Sequence, residues 1–216
     1  VSRRQAEYIV VEGPIGVGKT SLARRLAGTF GTELLLEGAG ENPFLERYYK
    51  HPREAALQTQ LYFLFQRARQ MQALRQGDIF HPVRVADFLM EKDQLFAHLT
   101  LDDDELRLYE QVYSQLTLDA PAPDLVVYLQ APVSVLQARI RKRDITYEQY
   151  IDNAYLQRVV DAYARLFHNY CASPLLIVNA TEIDPVNNDR DYQALLDKLR
   201  TIRSGRHYFN PLPRAL

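Results

Sequence analysis

Gly13-Pro-Ile-Gly-Val-Gly-Lys19-Thr20 is the stretch on which the fold turns. It matches G-x-x-x-x-G-K-[ST]. It follows the apolar run Tyr8-Ile-Val-Val-Glu12 and opens the stretch Ser21 to Thr29, where Leu22, Ala23, Leu26 and Ala27 fall on one side of a helix. Strand, glycine loop and helix in that order separate a phosphate-binding loop from a chance glycine turn. Glycines let main-chain N–H groups turn inward around phosphate oxygens, and the helix N-terminus adds a favourable field. Gly13, Gly16 and Gly18 are read as the cradle, Lys19 as the side chain reaching the β- and γ-phosphates of ATP, and Thr20 as a Mg2+ ligand through its hydroxyl.

On the C-terminal side of this loop, short β-rich runs alternate with longer helical stretches. Glu33-Leu-Leu-Leu-Glu37, Ile79 to Ala86, Asp124-Leu-Val-Val-Tyr-Leu129 and Leu175-Leu-Ile-Val178 read as strands, with Pro82 marking an irregularity or an edge in the second. Arg53 to Arg75, Asp102 to Leu116, Pro132 to Arg143, Tyr147 to Tyr170 and Asp189 to Arg203 read as helices. Proline in the first turn suits the helix from Pro132, and three aspartates suit the N-terminus of the helix from Asp102. Nothing readable follows Ser204. Alternating strands and helices predict an α/β, three-layer sandwich of the P-loop NTPase type, with a parallel sheet covered by helices on both faces. Ligands in such folds bind at the carboxyl ends of the strands.

Composition narrows the function. The 216 residues form one expected domain, 47% hydrophobic and 25% charged, as in a soluble globular protein. A net charge of −1 gives no basic field for a nucleic-acid partner. No apolar run of about 18 residues reads as a membrane span. The first residues, Val1-Ser-Arg-Arg-Gln-Ala-Glu7, lack a leader pattern. The single cysteine, Cys171, rules out an intrachain disulfide framework, and a reducing cytoplasm is the expected setting. No N-K-x-D guanine signature is present, and a mechanical ATPase usually needs a larger chain. A small-molecule kinase remains.

The chain resembles the deoxynucleoside kinases, especially the bacterial deoxyadenosine and deoxyguanosine kinase branch. The resemblance spans nearly its whole length. It rests on Val11-Glu-Gly-Pro-Ile-Gly-Val-Gly-Lys-Thr20, Glu41-Asn-Pro-Phe-Leu-Glu-Arg-Tyr-Tyr49, Gln58-Thr-Gln-Leu-Tyr-Phe-Leu-Phe-Gln-Arg67, and Arg139-Ile-Arg-Lys-Arg143 followed by Glu148. The resemblance implies ATP-dependent phosphorylation of a deoxynucleoside 5′-hydroxyl, with purines favoured, by an enzyme that is generally dimeric. Glu37 stands where the family places its catalytic carboxylate, with Gly38 in place of the usual proline. A carboxylate at a strand end can accept the proton of a substrate hydroxyl.

The same resemblance makes Gln60 and Arg67, two helical turns apart, the readers of the base edge, with Gln58 as a competitor for the glutamine role. Phe96 would stack on the base, and Tyr49 and Glu148 would hold the sugar 3′-hydroxyl. Arg139 and Arg143 belong to a lid, about residues 139–149, that would close over ATP phosphates. Cations at a helix C-terminus also suit the dipole by themselves, and Ile145 stands where the family commonly has one more arginine. Asp87 is the expected second Mg2+ carboxylate. The family arginine after it is replaced by Phe88, and either Lys92 or Asp93 would occupy the base-selecting place. Two rivals remain: a nucleoside monophosphate kinase, which should show extra cations for its acceptor phosphate, and a nucleotide-binding regulatory protein that has lost catalysis.

Overall fold

The computed structural model describes residues 8–76, 84–117, 120–181 and 183–210. Its strands are β1 (Tyr8–Glu12), β2 (Leu34–Leu35), β3 (Arg84–Ala86), β4 (Leu125–Gln130), β5 (Leu175–Asn179) and β6 (Arg206–Phe209). All pairings are parallel, in the order β2-β3-β1-β4-β5-β6. The helices are α1 (Lys19–Phe30), α2 (Leu45–Lys50), α3 (Pro52–Gln76), α4 (Lys92–Thr100), α5 (Asp103–Thr117), α6 (Val133–Arg143), α7 (Asn153–Asn169) and α8 (Asp189–Thr201), with short 3-10 turns at Ala39–Glu41 and Thr146–Tyr150. None is long and apolar enough to cross a membrane.

The period of two along each strand divides the core. Ile9, Val11, Leu125, Val127, Leu129, Leu176 and Val178 point to one face, where they pack with Leu22 and Leu26 of α1, Leu136 of α6 and Leu195 of α8. Tyr8, Val10, Val126, Tyr128, Leu175 and Ile177 point to the other face and meet Leu64 of α3, Leu95 of α4, Tyr109 of α5 and Tyr163 of α7. This is the expected three-layer sandwich. Because β1 is central, its burial is complete from Tyr8 to Glu12, and a loop leaving its carboxyl end opens in the middle of one edge of the sandwich.

The structure departs from the sequence reading in a few places. The expected strand Glu33–Glu37 pairs only at Leu34 and Leu35, both half-buried at the sheet edge, and this frees Glu37 from the ladder. Of the run Ile79–Ala86, Arg84–Ala86 is β3; Ile79 to Val83, including Pro82, lie outside the described residues. The segment after Ser204 contains β6, an edge strand whose Arg206-His-Tyr-Phe alternation is too short and polar to stand out. The single helix expected over Tyr147–Tyr170 is broken. A 3-10 turn ends at Tyr150, and α7 begins only after Asp152, whose carboxylate accepts from the Tyr155 N–H at 2.6 Å. Aspartate prefers this N-cap conformation to a helix interior. Asp152→Ala is expected to lower unfolding stability by about 0.5–2 kcal/mol. Urea denaturation at an unchanged m-value measures it, and equal midpoints would contradict the cap.

Candidate active site

The turn after β1 has the geometry of an anion cradle. Gly16 has φ 83°, and a Cβ there would lie 2.8 Å from Ile140 Cγ1 and 2.9 Å from the Leu136 carbonyl oxygen. Only glycine lets α6 pack this closely over the loop. Gly13 and Gly18 also have positive φ. Helix α1 starts at Lys19 with neither a side-chain cap nor an acidic residue in its first turn, so its leading N–H groups face outward without a built-in anion. At the end of β3, Asp87 accepts from the Thr20 hydroxyl at 2.5 Å and from the Glu37 N–H at 2.8 Å. These clustered hard oxygens suit Mg2+, which uses one or two protein oxygens together with phosphates and water. Phe88, next in the chain, is fully buried in the core, its ring 6.0 Å from the Arg67 guanidinium carbon.

Two cavities meet at the loop. One, of about 290 Å3, is lined by Gly16, Gly18, Ser21, Arg139, Arg143 and the segment Ile183–Asn187. Arg139 donates to the carbonyls of Val17 (3.1 Å) and Ala180 (2.8 Å), so it ties α6 to the phosphate loop and to the end of β5. Asp184 accepts from the Asn187 amide and from the N–H groups of Val186 and Asn187. Slight burial raises its pKa, but these hydrogen bonds outweigh that and hold it below the usual carboxylate range. Sequence reading did not name this segment. The rule that ligands gather after strand ends, applied to β5, was the signal available.

The second cavity, of about 280 Å3, holds most of the other expected residues: Lys19, Thr20, Glu37, Tyr49, Gln60, Arg67, Asp87, Phe96, Arg143 and Glu148. Gln60 is buried there, while Gln58 is exposed, which separates the two glutamines. Phe96 meets Tyr163 edge to face at 6.2 Å. Tyr49 stacks on Tyr147 at 6.1 Å, and Glu148 is gripped by Arg143 through bonds of 3.0 and 2.6 Å. This ion pair joins the end of α6 to the 3-10 turn that follows, within the lid segment itself. Gly38 has φ 62°, which proline, fixed near about −65°, cannot adopt, and the chain turns there in its own way.

A chain of buried charges runs beside the cavity, which three of its members, Lys92, Glu37 and Arg67, line. Glu12 accepts from the Gly13 N–H at 2.9 Å and from the Tyr163 hydroxyl at 3.3 Å. Lys92, 3% exposed, lies 3.2 Å from Glu12 Oε1 and 2.9 Å from Glu37 Oε2. Arg67 pairs with the other Glu37 oxygen and with Asp93. Asp93 pairs with Arg67, and Lys92 pairs with Glu37 and Glu12. Burial raises the Glu12 carboxyl, against the opposing pull of Lys92 and Lys19. Burial also acts to raise Glu37, but Lys92, Arg67 and Lys19 outweigh it and hold that carboxyl far below its ordinary range. Desolvation and Lys92 lower Lys19. Burial carries Asp93 up to about 6 despite Arg67, and the buried Tyr109 hydroxyl lies against the same carboxyl. Sequence reading missed Glu12. Its signal was a carboxylate ending an otherwise apolar strand directly before the glycine loop.

Parallel strands, an uncapped helix behind a glycine cradle and a carboxylate at the next strand end define a P-loop kinase site. Comparison with known proteins narrows this class. The sequence profile described as deoxynucleoside kinase matches residues 9–203. A deoxyguanosine kinase of Bacillus subtilis (strain 168) is 35% identical over 163 residues, 73% of this chain and 77% of that protein. A deoxyadenosine kinase of Lactobacillus acidophilus is 30% identical over 215 residues, covering 91% and 98%. The structure of deoxyadenosine kinase from M. mycoides with bound dATP shares the fold, with a TM-score of 0.78 over 90% of this chain and all of that one, at 23% identity. The chain belongs to the deoxynucleoside kinase family, and it is a kinase that uses nucleoside and nucleotide substrates.

Arg67 joins Glu37 to Asp93 in the charge chain. Arg67→Met leaves Asp93 and Glu37 facing each other without their shared cation. It is expected to cost about 3–5 kcal/mol, as breaking buried pairs does. Arg67→Met/Asp93→Asn is expected to recover part of the loss. Chemical denaturation of both variants checks this, and a fully stable Arg67→Met protein would contradict it.

Proposed function

We propose that this chain transfers the γ-phosphoryl group of ATP to the 5′-hydroxyl of a 2′-deoxynucleoside, a purine in preference, as a step of nucleotide salvage. The observation that carries this reading is Glu37, an ionised carboxylate in one cavity with the phosphate-loop lysine and the Thr20–Asp87 pair. The purine preference is supported by the names of the relatives, deoxyguanosine kinase and deoxyadenosine kinase. The reading includes a single domain over residues 1–216, a homodimer in the cytoplasm, and no nucleic-acid partner.

ATP phosphates lie on the Gly13–Thr20 cradle, with Lys19 against the β- and γ-oxygens and Arg139 and Arg143 on the lid side. Thr20 and Asp87 would hold Mg2+, which would supply charge neutralisation for phosphoryl transfer. The base enters between Gln60, Arg67 and Phe96. Asp93, fully buried behind Arg67, holds that guanidinium in place toward the base edge. Tyr49 and Glu148 take the 3′-hydroxyl. Glu37 accepts a hydrogen bond from the 5′-hydroxyl and orients its oxygen in line with the γ-phosphorus. A carboxylate with so low a pKa is a weak base toward a free alcohol. In a loose phosphoryl-transfer transition state the proton leaves late, when the oxygen is already bonding to phosphorus and its proton is acidic. Orientation and charge placement then supply most of the catalysis.

The same charges argue against a monophosphate acceptor. Lys92 and Arg67 are already paired with Glu12, Glu37 and Asp93, and a phosphate entering there would meet carboxylates.

Glu37→Gln keeps the shape and removes the acceptor's charge. Turnover is expected to fall roughly 10²–10⁴-fold, the range of general-base contributions, while deoxynucleoside binding survives. Lys19→Ala is expected to lose at least about a hundredfold, the scale of one transition-state donor. Steady-state ADP release together with nucleoside titration calorimetry checks both, and normal turnover in either folded variant would overturn the assignment. A 2′,3′-dideoxynucleoside should be much the poorer substrate, because it leaves buried polar groups unpaired. Tyr49→Phe should narrow the gap, and equal kcat/KM for the two sugars would contradict the sugar site.

A further inference from the structure

Lys92 has no part in the steps just described, yet its position is hard to explain as packing. It opens α4, where a basic residue is unfavourable against the helix dipole. It is buried, and burying an ammonium costs several kcal/mol unless it is well paired. A buried ion pair is seldom more stable than a hydrophobic pair of similar volume, so the fold alone gives little reason for it.

What Lys92 does contact is specific. Its ammonium bridges Glu12 Oε1 at 3.2 Å and Glu37 Oε2 at 2.9 Å. Glu12 ends β1, and through its other oxygen it accepts from Gly13, the first residue of the phosphate loop, at 2.9 Å. Glu37 lies beyond β2, on a segment with no ladder partner of its own past Leu35. Its main chain is fixed at Asp87 by the 2.8 Å bond from its N–H, and its Oε1 is fixed by Arg67. Asp87 also accepts from Thr20, so it ties the main chain of Glu37 to the phosphate loop, whereas Lys92 links Oε2 itself to that loop by way of Glu12. The groups facing this ammonium are Glu12 from β1, Glu37 from the segment after β2, Lys19 from α1 and Arg67 from α3.

We propose that Lys92 is a positioning residue: by bridging Glu12 and Glu37, it sets the acceptor carboxylate at a fixed distance from the phosphate loop. The inference rests on the reading of Glu37 given under Proposed function. It predicts that Lys92 acts on turnover through Glu37, with little effect on the affinity for nucleoside.

The test is a kinetic cycle with wild type, Lys92→Met, Lys92→Arg, Glu37→Gln and Glu37→Gln/Lys92→Met, using the deoxynucleoside that wild type phosphorylates best. Lys92→Met leaves Glu12 buried and unpaired, so Lys92→Met/Glu12→Gln is made alongside it to relieve the fold. Lys92→Met, or the relieved double variant if only that one folds, is expected to lose about a hundredfold in kcat, the scale of a misplacement near 1 Å. The KM for nucleoside should stay within about threefold, and Lys92→Arg should recover most of the rate. In the Glu37→Gln background, removing Lys92 should cost less than about threefold, because the two residues act as one unit. Recovery of wild-type kcat in Lys92→Met/Glu12→Gln would overturn the proposal by showing that Lys92 only neutralises Glu12. So would a loss confined to KM, or a full second loss in the Glu37→Gln background. If Glu37→Gln itself turns over normally, the reading of Glu37 falls, and the proposal falls with it. If Glu37→Gln is inactive while Lys92→Met is fully active, the proposal alone falls.

Discussion

The molecule depends on one row of alternating buried charges at the carboxyl end of its sheet: Glu12, Lys92, Glu37, Arg67 and Asp93. Three carboxylates, each desolvated, stand within reach of Lys92 and Arg67, and Lys19 adds a third cation nearby. No member can be left out without stranding another. The residues come from β1, the segment after β2, α3 and α4, so the row joins parts of the chain that the sheet alone does not tie together. It also sets protonation states. Glu37 stays ionised because cations outnumber its carboxylate neighbours at short range, while Glu12 and Asp93 rise because burial dominates there.

The sheet order makes this row possible. β1 lies between β3 and β4, so the loop after Glu12 opens with neighbours on both sides. Toward β4 and β5 lie α6, Arg139 and the segment Ile183–Asn187. Toward β3 and β2 lie Asp87 and Glu37. In the proposed reading nucleotide and acceptor approach Lys19 from opposite sides, with Lys92, Glu37 and Arg67 of the charge row lining the acceptor side. The cavity proposed for the acceptor already contains its own neutralising charges, which favours an acceptor carrying none.

Much of this was legible from residues alone. The P-loop spacing with its flanking strand and helix placed the cradle, and strand–helix alternation implied the parallel three-layer sheet. Resemblance added Glu37, Gln60, Arg67, Asp87, Tyr49, Phe96, Arg143 and Glu148, which the fold brings to one cavity. Local pattern could not reveal who pairs with whom. Lys92 and Asp93 are adjacent in sequence but point to different partners, because successive residues on a helix lie about 100° apart. Glu12 reads as an ordinary strand end until a lysine 80 positions later reaches it. β6 and the break at Asp152 escaped for a different reason: an edge strand of four residues and a single cap carry too little hydrophobic periodicity to register.

The central claim is that the cavity beside the phosphate loop takes an uncharged deoxynucleoside and phosphorylates its 5′-oxygen. The most direct measurement supplies Mg2+–ATP with each of the four 2′-deoxynucleosides and, separately, each of their 5′-monophosphates. ADP release is followed, and products are identified by phosphorus NMR. The account predicts stoichiometric ADP and a 5′-monophosphate from deoxynucleosides, fastest with a purine, and no diphosphate from the monophosphates. Diphosphate formation from monophosphates, or ADP release indifferent to every nucleoside, would contradict it.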